Sequence, residues 1–367
     1  MKILQLSKSL HRGGVEDHIL TLSQKLIQDG NQVIVAADNL LEKEAFEHVH
    51  IQVEQIDFLK KNPIAVIRNL KKLKNIILQN EIDVIHCHWR ICAFYIEWLR
   101  RLGLADVAYV WTNHLAVIGS GRLLRNNTYF GKKVIAVSTD CKNMLMSKYG
   151  IDEKNIRLVY NGISLQRYVK PDMDGQEQLR KKYCVEDKFA VTMLCRLEPI
   201  KNHSCMLEAM NIIVNQYGVR QIKCLIAGSG TDEYKTVLKG IVDKYQLQEY
   251  VAFTGQVDPV ELLSISNVMV LPSQKEGFPV SVLEAFAMKV PVIRTRTGGY
   301  VDVEGLCLDM DFDSAEQLAE RVMRLMRTEE TDSAMIEKAY AFVRNECTDD
   351  IMTKRIESIY QEAAWGQ

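Results

Sequence analysis

The chain has 367 residues, which exceeds the usual size of one hydrophobic core and predicts two domains of ordinary size. Hydrophobic residues make up 47% of it and charged residues 25%, a composition that excludes a disordered or fibrous protein. The net charge of −1 conceals an asymmetry: residues 1–170 carry 24 Lys and Arg against 16 Asp and Glu, which indicates an anionic partner there or simply solvated charges.

The sequence begins with a strand-like run and lacks the long apolar segment and small-residue cleavage site of a signal peptide, which predicts a cytoplasmic protein. No stretch approaches the ~18 uninterrupted apolar residues of a membrane-spanning helix, so we expect any membrane contact to be peripheral. The nine cysteines follow no framework spacing and are expected to be reduced thiols without disulfides.

Short β-branched runs alternate with segments of helical period, a pattern typical of parallel sheets covered by helices. Five strands are predicted on each side of a polar linker at residues 164–176. They lie at residues 2–7, 32–38, 84–89, 108–114 and 133–138, and at 189–194, 223–228, 250–255, 268–273 and 290–295. Two doubly wound units predict a cleft between domains, with ligands bound beyond the carboxyl ends of the strands.

Residues that directly follow two of these strands are suited to binding phosphate. Gly13 and Gly14 follow the first strand and open a helix, where the backbone can approach an anion closely and the helix start offers unpaired amides. A plain tight turn explains this glycine pair equally well. Arg196 and Lys201 follow the strand at 189–194 and can grip two phosphates together, with a pair of solvated surface charges as the alternative.

The strongest signal is the segment 274–285, which leads from a strand into a helix. Glu276 lies in the loop, and residues 277–280 are expected to present backbone amides at the helix start to a phosphate or a sugar hydroxyl. Glu284 lies one to two turns inside the helix. A glycoside hydrolase is disfavoured because eight helical residues separate two backbones by about 12 Å, whereas the carboxyl pair of a hydrolase is about 5 to 9.5 Å apart.

Taken in order, these motifs resemble those of the retaining GT-B glycosyltransferases of family four, whose Glu-x7-Glu signature matches Glu276 and Glu284. The resemblance covers nearly the whole chain. Its further motifs are Gly13-Gly14, His86-x-His88, Asn113-His114, Asn161-Gly162-Ile163, Arg196-x4-Lys201 and Gly298-Gly299. Cys195, Lys289 and Asp302 depart from the family pattern, which has glycine, glycine and glutamate at these places.

The resemblance implies an α/β GT-B fold, with two Rossmann-like doubly wound domains facing each other across a cleft. The N-terminal, acceptor-binding domain would span residues 1–168 and be joined by a helix at 349–367. The C-terminal domain, at 169–348, would bind the nucleotide sugar.

The resemblance also implies a role for each matching residue. Arg196 and Lys201 would bind the diphosphate beside the backbone of Gly13 and Gly14, and Glu284 would hold the ribose hydroxyls. The implied catalytic residues are His114, beside the sugar and acceptor, Arg196, Lys201 and Glu276, which would hold the transferred sugar. The remaining implied donor contacts are Gly277, Phe278, Pro279 and Val280, and Val257, which would touch the base through its main chain.

Fixed cations and amides stabilise a departing diphosphate, so no metal or other cofactor is expected. We predict a retaining transfer of a hexosyl or N-acetylhexosaminyl group from a UDP-sugar, or a GDP-sugar, to a carbohydrate or lipid-linked acceptor. The family's common setting is bacterial capsule, exopolysaccharide or lipopolysaccharide synthesis, and nucleic acid is not an expected partner. The alternatives are a small-molecule or protein acceptor, and a non-catalytic nucleotide-sugar-binding protein.

Two other patterns indicate competing functions. His86, Cys87, His88 and Cys92 resemble a metal cluster, but neighbouring side chains of a strand point to opposite faces, so zinc is disfavoured there. The glycines at residues 228 and 230 resemble a dinucleotide fingerprint but lack its third glycine, which makes a dehydrogenase a poor second choice.

A helix predicted at residues 64–77 combines an apolar stripe with many basic residues. The stripe consists of Ile67, Leu70, Leu73 and Ile77, and the basic residues are Lys60, Lys61, Arg68, Lys71, Lys72 and Lys74. We favour a surface helix docked on its own sheet, because apolar stripes usually face cores. The alternative is an interfacial helix that draws the protein peripherally to an anionic membrane surface.

Overall fold

The computed structural model describes residues 1–11, 13–60, 62–119, 121, 127–327 and 333–366. The chain divides into two compact units, Met1–Gly162 with Thr348–Gln367, and Ile163–Cys347. The first boundary falls before the expected residue 168 because the next segment is tied to the second unit. The Ile163 amide donates to the Cys347 carbonyl at 3.0 Å, and the Tyr168 hydroxyl donates to Glu284 at 2.7 Å.

Among the described residues of the first unit, seven parallel strands form one sheet. They are β1 (Lys2–Ser9), β2 (Gln32–Asn39), β3 (Gln52–Gln55), β4 (Val84–Cys87), β5 (Ala108–Asn113), β6 (Lys133–Ala136) and β7 (Ile156–Leu158). Their order in the sheet is β3-β2-β1-β4-β5-β6-β7. The first five helices are α1 (Gly14–Gln28), α2 (Lys43–Glu47), α3 (Pro63–Gln79), α4 (Arg90–Arg101) and α5 (Thr139–Tyr149).

The described residues of the second unit form a six-stranded parallel sheet. Its strands are β8 (Phe189–Leu194), β9 (Ile222–Ala227), β10 (Val251–Gly255), β11 (Val268–Leu271), β12 (Val292–Thr295) and β13 (Leu308–Met310). They are ordered β10-β9-β8-β11-β12-β13. Its helices are α6 (Met173–Lys182), α7 (His203–Asn211), α8 (Asp232–Lys244), α9 (Pro259–Ile265), α10 (Val280–Ala287), α11 (Ala315–Arg327) and α12 (Ser333–Glu346).

Each sheet buries apolar residues on both faces, as a parallel sheet covered by helices requires. In the first unit, Leu4 pairs with Ile34 and Ile85 of the flanking strands, and all three side chains are buried. Ile19 and Leu22 of α1 pack into the same unit's core. Full burial of one such side chain contributes about 1.5–3 kcal/mol to stability.

The last helix, α13 (Asp349–Trp365), belongs to the first unit. Its apolar face is buried through Met352, Ile356 and Tyr360. On its other side, Glu362 accepts from Arg157 through both carboxylate oxygens at 2.9 Å and pairs with Lys133 at 2.6 Å. The family of GT-B glycosyltransferases named by the resemblance implied this return of the chain to its first domain.

Helix α3 docks on its own unit through a stripe that overlaps the predicted one. Leu73 and Ile77 are buried as predicted, together with Ala65, Asn69 and Ile76. Leu70 is half-buried and Ile67 is exposed. The basic residues are partly paired, since Arg68 and Lys60 both contact Asp57, and Lys72 contacts Glu54. Lys61 lies outside the described residues.

Two further expectations concern cysteine and the membrane. All nine cysteines lie in the described part of the chain and are free thiols, as predicted. The search of the described residues found no helix with the length and hydropathy needed to cross a membrane.

Candidate active site

The second sheet reverses its winding between β8 and β11. These strands are neighbours, although the chain leaves β8 towards β9 on the other side. At such a switch point the loops after the two strands diverge and open a crevice at the carboxyl edge, where ligands bind in this type of fold. Arg196 and Lys201 follow β8, and Glu276 follows β11. The topology therefore gathers these three predicted site residues at one edge.

Lys201 and Glu276 form an ion pair, with 2.7 Å between Nζ and Oε1. The side chains are only 17% and 8% exposed. Their two loops are also joined by a hydrogen bond from the Gln274 amide to the Ile200 carbonyl at 2.8 Å. The cation is thus fixed in place by a carboxylate before any ligand arrives, which keeps the cost of reorganisation low.

Arg196 is exposed and pairs with Glu198 at 3.0 Å. Its loop is held by the neighbouring loop after β9. Gly228 has φ 147°, and a Cβ there would lie 1.9 Å from the Cys195 carbonyl oxygen. Because the Leu197 amide also donates to the Ser229 carbonyl at 2.7 Å, the glycines that resemble a dinucleotide fingerprint serve to support the Arg196 loop.

The Glu276 loop differs in one respect from its prediction. Helix α10 begins at Val280 with Pro279 as its N-cap, so Gly277 and Phe278 precede the helix. Proline has no backbone N–H, so the expected row of amides over 277–280 is interrupted at Pro279. The main-chain donors of this segment are Gly277, Phe278 and Val280.

The Gly298-Gly299 turn lies directly against the Glu276 loop. Gly299 has φ 76°, and a Cβ there would lie 2.6 Å from Phe278 Cδ2 and 2.9 Å from the Gly277 carbonyl oxygen. The buried guanidinium of Arg294 donates to the carbonyls of Thr297 at 3.2 Å and Gly298 at 2.9 Å. The buried Arg294 side chain therefore holds the turn in place, and the turn packs against the Glu276 loop.

Glu284 and Val257 lie on further elements of the same unit. Glu284 is in α10 and accepts a 2.7 Å hydrogen bond from the hydroxyl of Tyr168, which is buried. Val257 is half-buried in the loop after β10. That loop is braced by a Gln256 bond to Ser229 at 3.1 Å and by the Asp258 cap on the Val260 amide at 3.0 Å.

In the first unit, Gly13 and Gly14 lie where predicted, at the start of α1. Gly13 is the N-cap, with no side chain to cover the first amides of the helix, and Gly14 is exposed. The amides at a helix start and the positive end of the helix dipole suit an anion. Gly13 is fully extended (φ 176°), so its conformation does not itself require glycine.

His114, just after β5, is part of a hydrogen-bonded chain. Its Nε2 is 3.1 Å from His88 Nδ1, and His88 Nε2 is 2.8 Å from the side-chain oxygen Oε1 of Gln5. That oxygen can only accept, so His88 Nε2 carries the proton and His114 Nε2–H donates to His88 Nδ1. Burial lowers the pKa of His114 well below its usual range, and His18 and His86 add to this effect. His114 is accordingly neutral, with Nδ1 as an acceptor.

Two members of the disfavoured cluster of His86, Cys87, His88 and Cys92 are poorly suited to bind a metal. Both His86 nitrogens are engaged, with Tyr360 and Thr112 oxygens each at 2.6 Å. Burial also raises the pKa of the Cys87 thiol well above its usual range, which disfavours the thiolate that a metal needs. In the described chain, the histidines that do converge are His18, His88 and His114.

The sequence did not indicate four residues that contact or support the predicted site residues. Gln5 and His18 orient or adjoin His114, Tyr168 binds Glu284, and Arg294 locks the glycine turn. His18 had a visible signal, because it follows Gly14 by one helical turn and so shares that edge of the sheet. Tyr168 had none, since the sequence placed it beside a polar linker.

Two family models match this chain. The model described as Glycosyltransferase Family 4 matches residues 12–167, and the model described as Glycosyl transferases group 1 matches residues 175–342. The chain belongs to this group of glycosyltransferases, and it is an enzyme of that class with a GT-B fold. The fold class and family expected from the motif order are thereby confirmed.

Relatives and solved structures agree with this membership. The chain is 28% identical to N-acetyl-alpha-D-glucosaminyl L-malate synthase of Bacillus anthracis over 306 residues, covering 79% of this chain and 77% of the relative. A glycosyltransferase of Rickettsia africae matches with a TM-score of 0.86, 23% identity and coverage of 100% and 99%. Anabaena HepE, in complex with UDP-glucose, matches with a TM-score of 0.84, 19% identity and coverage of 99% and 100%.

Proposed function

We propose that this glycosyltransferase moves a sugar from a UDP-sugar to an acceptor, with retention of the anomeric configuration. The observation that carries the proposal is the placement of Arg196 and the Lys201–Glu276 pair at the switch point of the second sheet. Two cations and a carboxylate at one crevice match a ligand that joins a diphosphate to a sugar.

The chemistry is electrostatic. Breaking the bond between the sugar and the phosphate leaves negative charge on the diphosphate, and fixed cations stabilise that charge most in the transition state. Arg196 offers a planar fork of donors to two phosphate oxygens, while Lys201 offers a point charge. In this proposal no metal ion is required at the diphosphate.

The other predicted residues bind the rest of the donor. Glu276 and the donors at Gly277, Phe278 and Val280 hold the sugar, and Pro279 contributes shape. The carboxylate of Glu284 accepts hydrogen bonds from the ribose hydroxyls. One of its oxygens also accepts from the Tyr168 hydroxyl, so the ribose and Tyr168 compete for that oxygen. The Val257 main chain contacts the base, and the amides of Gly13 and Gly14 in the first unit suit a phosphate.

Retention follows from attack on the same face that the diphosphate leaves, with the leaving phosphate accepting the acceptor proton. No protein nucleophile is then needed, and Glu276 stays in its ion pair with Lys201. Proton NMR of the product while it forms tests this directly, because the anomeric coupling distinguishes retention from inversion. An inverted product would reject this part of the proposal.

The donor is identified by a thermal-shift panel of UDP-, GDP-, ADP- and TDP-sugars. A ligand that binds only the folded state adds about 2.7 kcal/mol to the free energy of unfolding when its concentration is 100 times its Kd. We expect UDP-sugars to raise the unfolding temperature most, since HepE was crystallised with UDP-glucose. UDP-N-acetylglucosamine belongs in the panel because the name of the Bacillus anthracis relative includes an N-acetylglucosaminyl group.

Release of UDP separates an enzyme from a protein that only binds the nucleotide sugar. Incubation with the preferred donor and an acceptor extract should release UDP continuously, and Arg196→Ala should abolish that release. Saturable donor binding without any release would support the non-catalytic alternative.

The acceptor has two candidates. We favour a carbohydrate or lipid-linked acceptor of bacterial cell-surface polysaccharide assembly, the common setting of this family. The small-molecule alternative is favoured by the name of the Bacillus anthracis relative, N-acetyl-alpha-D-glucosaminyl L-malate synthase, which includes L-malate. Stimulation of UDP release by L-malate, but not by a polyprenyl-linked sugar, would select the second.

We place the enzyme at the cytoplasmic face of the cell membrane, held peripherally through α3. Its Ile64 and Ile67 side chains are 79% and 55% exposed beside the exposed Lys71. Vesicles with increasing anionic lipid should cosediment more protein, and Ile64→Ser with Ile67→Ser should reduce this binding. Leu41→Ser, at a residue 69% exposed elsewhere in the unit, is the matched control.

A further inference from the structure

Three histidines of the first unit meet at the carboxyl edge of its sheet. His18 lies on α1, His88 follows β4, and His114 follows β5. Their ring nitrogens lie within 4.8 Å of one another. His18 and His88 are 3% and 2% exposed, so these rings converge inside the protein rather than at its surface. We call this group the histidine cluster.

One nitrogen of the cluster is buried without a partner. His18 Nδ1 lies 3.1 Å from the side-chain oxygen Oδ1 of Asn161, which can only accept, so Nδ1 carries the proton and Nε2 carries a lone pair. In the described structure, His18 Nε2 makes no hydrogen bond and is shielded from solvent. Leaving such a group unsatisfied costs about 1–3 kcal/mol, which a ligand at this position would recover.

His88 is oriented in the same manner. Its Nε2 lies 2.8 Å from the side-chain oxygen Oε1 of Gln5, and the side-chain nitrogen Nε2 of Gln5 donates to Ser23 Oγ at 2.8 Å. The lone pair of His88 Nδ1 therefore faces His114. Histidines that ligate metals almost always donate their other N–H to a carbonyl or carboxylate oxygen. Two of the three rings already have this partner.

We propose that the histidine cluster binds one divalent transition-metal ion of the Zn²⁺ class, through His18 Nε2, His88 Nδ1 and His114 Nε2. On binding, His114 moves its proton from Nε2 to Nδ1, and the metal takes the vacated lone pair. Bonds of about 2.0 Å in a tetrahedral site set the ligand atoms about 3.3 Å apart, so the widest pair closes by up to ~1.5 Å. Three protein ligands leave a fourth position for water.

The ligand chemistry selects the ion. Neutral imidazoles suit Zn²⁺, Co²⁺, Ni²⁺ and Cu²⁺, whereas Mg²⁺ and Ca²⁺ require oxygen ligands. Burial lowers the pKa of His18 to about 4 and the pKa of His88 well below its usual range. At neutral pH a metal therefore competes with few protons for these nitrogens.

The site also has a consequence for activity, which rests on the proposed role of His114 beside the acceptor. Metal binding engages His114 Nε2 and leaves Nδ1 protonated, so that Nδ1 becomes a donor instead of an acceptor. The ion therefore acts as an inhibitor, because it removes the acceptor that His114 presents in its metal-free form.

Titration of Co²⁺ into the EDTA-treated, tag-free full chain tests the site. We expect the visible absorption of a tetrahedral Co²⁺ complex to saturate at one ion per chain and to be displaced by Zn²⁺ but not by Mg²⁺. His18→Gln should abolish this absorption. The matched control, His48→Ala with His50→Ala, removes two exposed histidines and should leave it unchanged.

Asn161→Ala keeps all three ligands but removes the group that orients His18. Its affinity for Co²⁺ should fall 10–100-fold, and tryptophan fluorescence in EDTA checks that both variants are folded. Absence of tetrahedral absorption in the wild type, or an unchanged titration in folded His18→Gln, would overturn the proposal.

UDP release separates this inference from the proposed function. Each chain is compared with its own rate of UDP release in EDTA, because His18 contacts His114 and its replacement can lower that rate. At saturating Zn²⁺ the wild type should lose at least 90% of its EDTA rate, whereas His18→Gln should keep most of its own. UDP release in EDTA without Co²⁺ binding overturns the metal site alone. Binding of Co²⁺ without UDP release under any condition overturns the proposed function alone, and equal inhibition of both chains overturns the link to His114.

Discussion

Arg196 is the predicted phosphate ligand whose replacement best separates function from folding. Its side chain is 52% exposed and pairs with its neighbour Glu198. We predict that Arg196→Ala changes the free energy of unfolding by less than about 0.5 kcal/mol, because it is an exposed surface substitution. The same change should lower the rate of UDP release at least ~100-fold, the typical cost of removing one fixed donor from a transition state.

Denaturant titration and UDP release measure the two effects. Glu198→Gln is the control, since it removes the partner of Arg196 but keeps the arginine, and its rate should stay within about threefold of wild type. If Arg196→Ala keeps full activity, the residue is a solvated surface charge, which is the alternative that the sequence left open.

Lys201 differs from Arg196 because its pair with Glu276 is largely buried. Lys201→Ala leaves a carboxylate in a poorly solvated position, so we predict a loss of about 2–4 kcal/mol of stability together with the loss of UDP release. Adding Glu276→Gln should restore much of the stability and none of the activity. A double-mutant cycle in denaturant measures the coupling, and a coupling near zero would show that the pair contributes nothing to the fold.

The sequence indicated Arg196, Lys201 and Glu276 because each directly follows a strand of clear pattern. It could not indicate Tyr168, whose partner Glu284 is 116 residues away. It also could not show that Lys201 and Glu276 bond to each other, since side-chain contacts between loops depend on sheet order. The order of strands in a sheet is set by tertiary structure and cannot be predicted from a local sequence pattern.

Among the elements, the turn at Gly299 is the most sensitive support of the site. A Cβ there would meet backbone and ring atoms of the Glu276 loop at under 3 Å, and the loop would have to move. We predict that Gly299→Ala lowers stability by at least about 2 kcal/mol and activity at least tenfold, because left-handed strain alone costs about 1–2 kcal/mol.

Gly305→Ala is the matched control, because Gly305 has the same φ of 76° and a Cβ there would meet nothing within 4 Å. Gly305→Ala should lower stability through the strain of the left-handed conformation, and it should keep full activity. Equal effects of the two substitutions on UDP release would mean that the turn does not position the Glu276 loop.

Ten strands were predictable at element scale because each is a run of buried apolar residues. The three that were missed, β3, β7 and β13, include both outer strands of the first sheet and one of the second. They are three or four residues long, with polar residues in sequences such as Gln52–Gln55. Short strands at the edge of a sheet have a single neighbouring strand. They contain too few buried residues to show a recognisable hydrophobic pattern in the sequence.

At the scale of the whole molecule, buried histidines predict that the two units differ in their sensitivity to acid. Burial lowers the pKa of His18 to about 4 and holds those of His86, His88 and His114 well below the usual range, all in the first unit. The second unit has one described counterpart, His203, with its pKa lowered to about 4.

The sign follows from proton uptake. Between about pH 6.5 and pH 4 the unfolded chain protonates these histidines and the folded chain does not, so stability falls as the pH falls. Each group contributes at most about 1.4 kcal/mol per pH unit. We predict that, as the pH falls from 6.5 to 5, the free energy of unfolding decreases more for the first unit than for the second.

All four tryptophans, Trp89, Trp98, Trp111 and Trp365, belong to the first unit, so their fluorescence in denaturant reports its unfolding separately. The midpoint by fluorescence should decrease more than the midpoint of the remaining change in circular dichroism. A fluorescence midpoint that is constant or rises as the pH falls to 5 would contradict the burial of neutral histidines.

The two-unit α/β architecture was predictable from the restart of strand–helix alternation after a polar segment. The position of the boundary was not, because residues 163–168 are attached to the second unit by individual hydrogen bonds rather than by composition. The family resemblance named candidate site residues but did not indicate the histidine cluster, whose members come from one helix and two strand ends.

The central claim is that Arg196 and Lys201 hold the second phosphate of the leaving group. Calorimetric titration of UDP and UMP in EDTA tests it most directly. We predict that UDP binds at least 30-fold more tightly than UMP, or about 2 kcal/mol, and that this preference disappears in Arg196→Ala with Lys201→Ala. Equal affinity of the wild type for UDP and UMP, or an unchanged preference in the double variant, would contradict the claim.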